Sequence, residues 1–126
     1  MLKLFLALSL TVALTSMAVG SLSAQEQPVT KAMIDQGASL FAERGLCYAC
    51  HGPEGKGIPN LGVDLTDDEW LHSDGSFEGV LETIMQGVSP DRSSSGTMMP
   101  PKGGSSLSND QIKAVAAYVW SLTNKP

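Results

Sequence analysis

Two cysteines and a histidine within five consecutive positions are the residues in this sequence best suited to chemistry. They form the run Cys47-Tyr48-Ala49-Cys50-His51, whose C-x-x-C-H spacing is the pattern of covalent haem attachment. Two thiols three positions apart on a turn can add to the two vinyl groups on adjacent edges of a porphyrin. The following residue, His51, then lies beneath the iron as an axial nitrogen ligand. We therefore expect Cys47 and Cys50 to hold one haem c and His51 to bind its iron.

Three other kinds of site use similar residues. A thioredoxin-like C-x-x-C redox pair needs a βαβ setting, which this sequence does not predict. A zinc site needs four ligands, and His72 is the only other histidine while no third cysteine exists. A disulfide that closes so small a loop would add little stability. Haem attachment is the interpretation that the rest of the chain favours.

A pair of methionines offers a second axial ligand to the iron. Met98 and Met99 lie in Gly96-Thr97-Met98-Met99-Pro100-Pro101, about fifty residues after the histidine and within a polar loop. A thioether is a soft, neutral ligand that favours ferrous iron and so raises the reduction potential. The two prolines stiffen the segment, because each fixes φ and removes a backbone donor. Methionines also serve as loop or core fillers, and the residues alone leave open which of the two is the ligand.

Three helices with recognisable ends are predicted to position these groups. The first begins after Thr30 and runs to about Arg44, with apolar residues recurring at helical spacing. Another begins at Ser76 and stops at Gly87. The last follows Ser108, which opens a Ser-x-x-Gln capping box.

The segments between these helices are predicted to be mostly loop. Glycine and proline punctuate residues 52–62, and residues 88–106 form a long loop rich in Ser, Gly and Pro. Between them, a Thr66-to-Glu69 capping box with Leu65 and Trp70 as its hydrophobic staple predicts one more short helix. No segment alternates with a period of two, so the fold class expected is all-α.

Residues 1–24 are predicted to be a signal peptide, and residues 25–126 the single folded domain. Lys3 provides a positive start, Leu4–Leu14 is largely apolar, and small residues follow up to Ala24. Cleavage is expected after Ala24, with Ala18 and Ser23 as alternatives. An uncleaved membrane anchor is the competing interpretation, although the apolar stretch is short for a span of about 20 residues. Export to the periplasm agrees with haem attachment, which generally takes place outside the cytoplasm.

Charge and composition limit the remaining function classes. Loss of the first 24 residues leaves seven basic and 13 acidic residues, a formal charge of −6, so nucleic acid is a poor partner. Only 6% of the 126 residues are aromatic and 13 are glycine. A chain of this kind has little side-chain material for a core, and a haem can supply the missing apolar mass.

In these motifs the chain resembles the small bacterial class I cytochromes c, which carry a single haem. The resemblance implies a cytochrome c fold of about four short helices around one covalently bound haem. Members carry the distal ligand in a Met-Pro pair, which matches Met99-Pro100 and so favours Met99 over Met98. They also have a Gly-Pro-Asn-Leu loop, matched here by Ile58-Pro59-Asn60-Leu61 with Ile in place of Gly. The resemblance implies that the Pro59 carbonyl accepts the ring N–H of His51 and that Leu61 packs on the porphyrin.

Two further implications of the resemblance concern packing. In the family, the first and last helices cross at a glycine and an aromatic on one side and an aliphatic and an aromatic on the other, matched by Gly37, Phe41, Val115 and Tyr118. Trp70 resembles the tryptophan that often donates its indole N–H to a haem propionate. Trp70 can equally serve as a packing residue, and the two roles are compatible.

The function expected is that of a periplasmic electron carrier rather than an enzyme, since protein ligands on both sides of the iron leave no place for substrate. The alternative is a haem domain whose sixth site is open or displaceable, acting in gas binding or peroxidase-like chemistry. Expected partners are redox proteins: an exported dehydrogenase, a membrane reductase or a terminal oxidase. A membrane is expected only if the N-terminal segment stays uncleaved. The sign of the docking face is open, because Arg44, Lys56 and Lys102 could surround the haem edge of an acidic protein.

Overall fold

The computed structural model describes residues 28–124, so the predicted signal peptide lies outside the described residues. Four α-helices follow one another along the chain. They are α1 (Lys31–Ala42), α2 (Tyr48–His51), α3 (Phe77–Gln86) and α4 (Asn109–Ser121), and a 3₁₀ turn spans Pro101–Gly104. Within residues 28–124 the only β-type pairing consists of two isolated bridges, and no helix has both the length and the apolar character needed to cross a membrane. The all-α prediction is confirmed.

The ends of the three longer helices are set by local hydrogen bonds, as predicted. Thr30, Ser76 and Ser108 each accept a backbone N–H with their hydroxyl oxygens at the starts of α1, α3 and α4. At α4 the reciprocal bond from the Ser108 backbone N–H to the Gln111 side chain completes the capping box. Gly87 ends α3 with a φ of 71°, a left-handed value that glycine adopts without steric cost. Helix α1 ends at Ala42, two residues before the predicted end.

Helices α1 and α4 cross at very close range, as the resemblance implied. A β-carbon built on Gly37 would lie within 1.9 Å of the Ala114 carbonyl oxygen, so only glycine allows this approach. Beside the crossing, the rings of Phe41 and Tyr118 meet edge to face with their centroids 5.3 Å apart. Phe41 and Val115 are almost completely buried. Phe41 and Val115 therefore form part of the wall of a cavity that loop residues also line.

The prediction of a short helix after Leu65 is wrong, since no helix lies between His51 and Phe77. Residues 65–68 form bends, and Asp64 Oδ1 accepts both the backbone N–H and the hydroxyl of Thr66 at 2.7 Å. Asp67 Oδ1 likewise accepts the backbone N–H of Glu69 at 3.0 Å. The Glu69 N–H, which the Thr66 hydroxyl oxygen would accept in a capping box, is thereby bound by Asp67 instead in the second of these two aspartate turns. The fourth α-helix is instead the single turn α2, which carries the haem-attachment run.

Candidate functional site

The C-x-x-C-H run is presented on helix α2, directly after a tight reversal of the chain. The reversal places Leu46 in the left-handed region, with a φ of 59°, and the His51 backbone N–H then bonds to the Cys47 carbonyl at 2.9 Å. Positions i, i+3 and i+4 share one face of a helix. Cys47, Cys50 and His51 therefore line the same cavity, and both cysteines are free thiols.

The electrostatics of Cys47 do not suit a redox cysteine. Burial raises the pKa of the Cys47 thiol to about 11, against an opposing backbone hydrogen bond. A thiol with so high a pKa stays protonated at neutral pH, whereas a disulfide-exchange cysteine needs a lowered pKa. Among residues 28–124, no group of three His, Cys, Asp or Glu side chains is placed to hold a metal ion by itself. The thioredoxin-like and zinc interpretations therefore gain no support.

His51 is oriented by a carbonyl that the sequence analysis did not identify. Its Nδ1 lies 2.9 Å from the Val63 carbonyl oxygen, and because a carbonyl only accepts, Nδ1–H is the donor. Burial lowers the pKa of His51, with the bond to Val63 opposing the shift. The result is a neutral imidazole whose Nε2 has a free lone pair, the form that binds a metal.

The prediction that the Pro59 carbonyl fills this role is corrected by the contact with Val63. Ile58 and Gly62 exchange backbone hydrogen bonds of 2.9 and 3.1 Å and close a tight turn. That turn leaves Pro59 exposed and outside the cavity lining. Leu61, at the end of the turn, does line the cavity, but it remains 36% exposed.

The two methionines occupy different environments on the cavity wall. The backbone of Met99 pairs with that of Val88 in both directions, at 2.8 and 2.9 Å, and its side chain packs against the hydrophobic core. Met98 also borders the cavity but is 52% exposed. Of the two methionines, Met99 is therefore the one whose backbone is held by hydrogen bonds and whose side chain is half-buried.

The cavity itself is large and mostly apolar. The empty space between its walls is about 1170 Å³ when the open solvent at its mouth is included. Buried side chains from three helices form its inner wall: Phe41, Val80, Ile84, Val115 and Val119. An apolar cavity with two thiols and a neutral imidazole on its wall fits a covalently held haem.

Trp70 and His72 complete the cavity on the side of the aspartate turns. Trp70 lines it and also packs against the core, so the packing role is present and the predicted role towards the cofactor remains a prediction. His72 is half-buried in the same wall, and its carbonyl accepts the Thr83 hydroxyl at 2.7 Å. In the sequence, His72 lacks the partner ligands of a zinc site, and no sequence signal places it at this cavity.

Comparisons with known proteins show the family of this chain. The sequence model of the family described as Cytochrome c matches residues 34–123. Among curated proteins, the chain is similar to the cbb3-type cytochrome c oxidase subunit FixP of Rhizobium etli, with 40% identity over 76% of this chain and 32% of the relative. It is also similar to subunit CcoP of Rubrivivax gelatinosus, with 37% identity over 81% of this chain and 30% of the relative. The chain thus spans about a third of the length of these curated relatives.

A solved structure shows the same fold. The crystal structure of cytochrome cL from the marine methylotrophic bacterium Methylophaga aminisulfidivorans superposes with a TM-score of 0.53 and 32% sequence identity. The superposition covers 71% of this chain and 52% of that one.

Proposed function

We propose that this chain, which belongs to the cytochrome c family as a class I member with one covalent haem c, is a periplasmic electron carrier. In this proposal His51 and Met99 are the two iron ligands. The observation that carries the proposal is the placement of His51 and the half-buried Met99 on the wall of one apolar cavity. Cys47 and Cys50 lie on the same wall and form the covalent attachment. The predicted role as electron carrier rather than enzyme follows from the two protein ligands.

The residues of the chain suit a site that transfers electrons without binding substrate. When bound, the haem supplies reversible one-electron chemistry at its iron. His51 is held as the neutral imidazole by the Val63 carbonyl, which increases its electron donation. The Met99 backbone is tied to Val88, so the thioether position changes little between oxidation states. Val80, Ile84 and Val119 exclude water from the inner wall.

The partners and the compartment are also part of the proposal. The similar curated proteins are subunits of cbb3-type cytochrome c oxidases, which supports a membrane-bound terminal oxidase as electron acceptor among the predicted partners. The N-terminal sequence supports export, with the mature domain at residues 25–126. An exported dehydrogenase or a membrane reductase remains the proposed donor.

Carbon monoxide binding tests the ligation. The reduced holoprotein is expected to resist carbon monoxide at neutral pH, and its ferric form is expected to show a methionine-to-iron charge-transfer band. Met99→Ala is expected to remove that band, lower the reduction potential and open the iron to carbon monoxide. Met98→Ala is the matched control and should leave all three properties close to those of the wild type.

Each opposite result has a definite meaning. If Met98→Ala opens the iron while Met99→Ala does not, the assignment of the ligand is reversed. Rapid stoichiometric binding of carbon monoxide by the wild-type protein would refute the carrier proposal and favour a gas-binding or peroxidase-like haem domain.

A further inference from the structure

Residues 89–98 form a loop whose two ends lie side by side, and we call it the methionine loop. Val88 before it and Met99 after it form an isolated β-bridge, with backbone hydrogen bonds of 2.8 and 2.9 Å. Residues 89–97 have no aliphatic or aromatic side chain other than that of Pro90. Burial of apolar surface can therefore do little to hold this loop, and its position depends on hydrogen bonds.

Two hydroxyl groups join the methionine loop to the Ile58–Gly62 turn. Ser95 Oγ donates to the Leu61 carbonyl and Thr97 Oγ1 to the Asn60 carbonyl, both at 3.3 Å. In the part of the chain that the structure describes, the other hydrogen bonds of the methionine loop stay inside it, and no ion pair involves it. We call Ser95 and Thr97 the hydroxyl latch, because they alone tie this loop to another segment between its ends.

The turn that accepts these bonds is itself fixed to the haem-attachment helix. A β-carbon built on Gly62 would lie 2.4 Å from the Cys50 carbonyl oxygen, so the end of the turn packs directly on α2. The next residue is Val63, whose carbonyl oxygen lies 2.9 Å from His51 Nδ1. The hydroxyl latch therefore connects the segment that orients His51 with the loop that carries the proposed methionine ligand.

The β-bridge alone does not determine the direction of the chain at Met99. It pairs a single residue, Val88, with Met99, so it fixes the position of Met99 while the preceding backbone can still turn about it. Thr97 lies two residues earlier, and its bond to the Asn60 carbonyl supplies a second fixed point. Two fixed points set the direction of this short segment and, with it, the direction in which the Met99 side chain projects.

We propose that Ser95 and Thr97 are positioning residues, which keep the Met99 thioether on the iron by tying the methionine loop to the Ile58–Gly62 turn. The proposal rests on the proposed function, because it takes Met99 as the sixth ligand. With the latch closed, the sixth site is held by protein and suits electron transfer. With the latch open, the thioether can leave and a small neutral ligand can take its place. The latch thus determines how readily the sixth ligand is displaced.

Imidazole is the probe of this latch, since it can bind the ferric iron only after the thioether has left. Loss of the methionine-to-iron charge-transfer band is followed after ferric holoprotein is mixed with increasing imidazole. At high imidazole the observed rate approaches a limit, which is the rate at which Met99 leaves. In Ser95→Ala/Thr97→Val this limiting rate is expected to rise by about tenfold, because two hydrogen bonds no longer hold the loop. Thr97→Val alone should raise it by about threefold.

Three control variants separate the latch from a general loss of stability. Ser95→Thr/Thr97→Ser keeps both hydroxyls and should restore a limiting rate within about twofold of the wild type. Ser94→Ala changes the residue beside the latch, whose side chain makes none of the bonds that leave the loop, and should change the rate by less than about twofold. Gly37→Ala perturbs the crossing of α1 and α4 and should lower Tm without a comparable rise in the rate.

Several results would overturn the latch while leaving the proposed function intact. They are a Ser95→Ala/Thr97→Val protein that exchanges its ligand no faster than the wild type or still excludes imidazole, an equal rise in Ser95→Thr/Thr97→Ser, and an equal rise in Gly37→Ala. In each case the wild-type protein still shows its charge-transfer band. A wild-type protein without that band would instead refute methionine ligation, and with it both proposals.

Discussion

Replacing Gly37 by alanine tests the helix crossing that forms the back of the haem cavity. The new β-carbon would lie 1.9 Å from the Ala114 carbonyl oxygen and 2.9 Å from the Tyr118 β-carbon. Neither atom can move away by a side-chain rotation, because one belongs to the backbone and the other is attached directly to it. Helices α1 and α4 must therefore separate by about 1.5–2 Å to reach a normal contact distance of about 3.5 Å.

The cost of this separation follows from what the two helices share. Overpacking of a core costs about 1–3 kcal/mol, and the edge-to-face contact of Phe41 and Tyr118 adds about 0.5–1.5 kcal/mol if it is lost. Alanine recovers about 1 kcal/mol of helix propensity. The free energy of unfolding should thus fall by about 2 kcal/mol, which lowers Tm by roughly 8–16 °C in a domain of this size.

Thermal and guanidinium unfolding of the holoprotein, followed by far-ultraviolet circular dichroism, measure this loss. Gln36→Ala is the matched control, because it introduces the same residue at the neighbouring, exposed position of α1 and should change stability by less than about 0.5 kcal/mol. If Gly37→Ala were as stable as the wild type, or more stable, the close approach of the two backbones would be refuted.

Two further variants probe the haem site. Gly87→Ala would place a β-carbon 2.3 Å from the Met99 carbonyl oxygen, at a residue whose φ is 71°. We therefore expect a lower Tm and a weaker methionine-to-iron charge-transfer band. A wild-type spectrum with an unchanged Tm would contradict the close contact between Gly87 and the Met99 backbone. Replacing Cys47 and Cys50 together by alanine should yield a chain that loses its haem on acid extraction. Without the haem this chain should not fold stably, because stabilisation by the bound group is lost. Retention of helical circular dichroism after haem removal would contradict this expectation.

Several features of the fold were predictable because they depend on neighbours in the chain. The caps at Thr30, Ser76 and Ser108 each require one hydroxyl and a backbone N–H three residues away, so the sequence contains both partners. The prediction at Thr66 was wrong for an equally local reason. The Glu69 N–H that the Thr66 hydroxyl would accept is bound by the Asp67 carboxylate, and a capping pattern does not reveal that an aspartate inside the box competes for that N–H.

The partner of His51 could not be predicted from residue types. Its ring N–H binds a backbone carbonyl, and every residue carries one, so no side-chain signal distinguishes Val63 from Pro59. The Ile58–Gly62 turn decides the matter by turning Pro59 outward and returning the chain to the ring four residues later. The placement of His72 at the cavity could not be predicted from residue types either, because it depends on how the segment after the aspartate turns packs against α3.

The haem-attachment chemistry of this protein is fixed by local spacing in its sequence. A spacing of three and four residues places two thiols and an imidazole on one face of any single helical turn, whatever the rest of the chain does. The surroundings of these three groups depend instead on how distant segments pack together. The burial of Met99 relative to Met98, the contact of Val63 with His51 and the hydrogen bonds from the methionine loop to the Ile58–Gly62 turn all join segments distant in the chain or depend on their packing. Such placements are decided by the packing of loops on helices, which local periodicity does not encode.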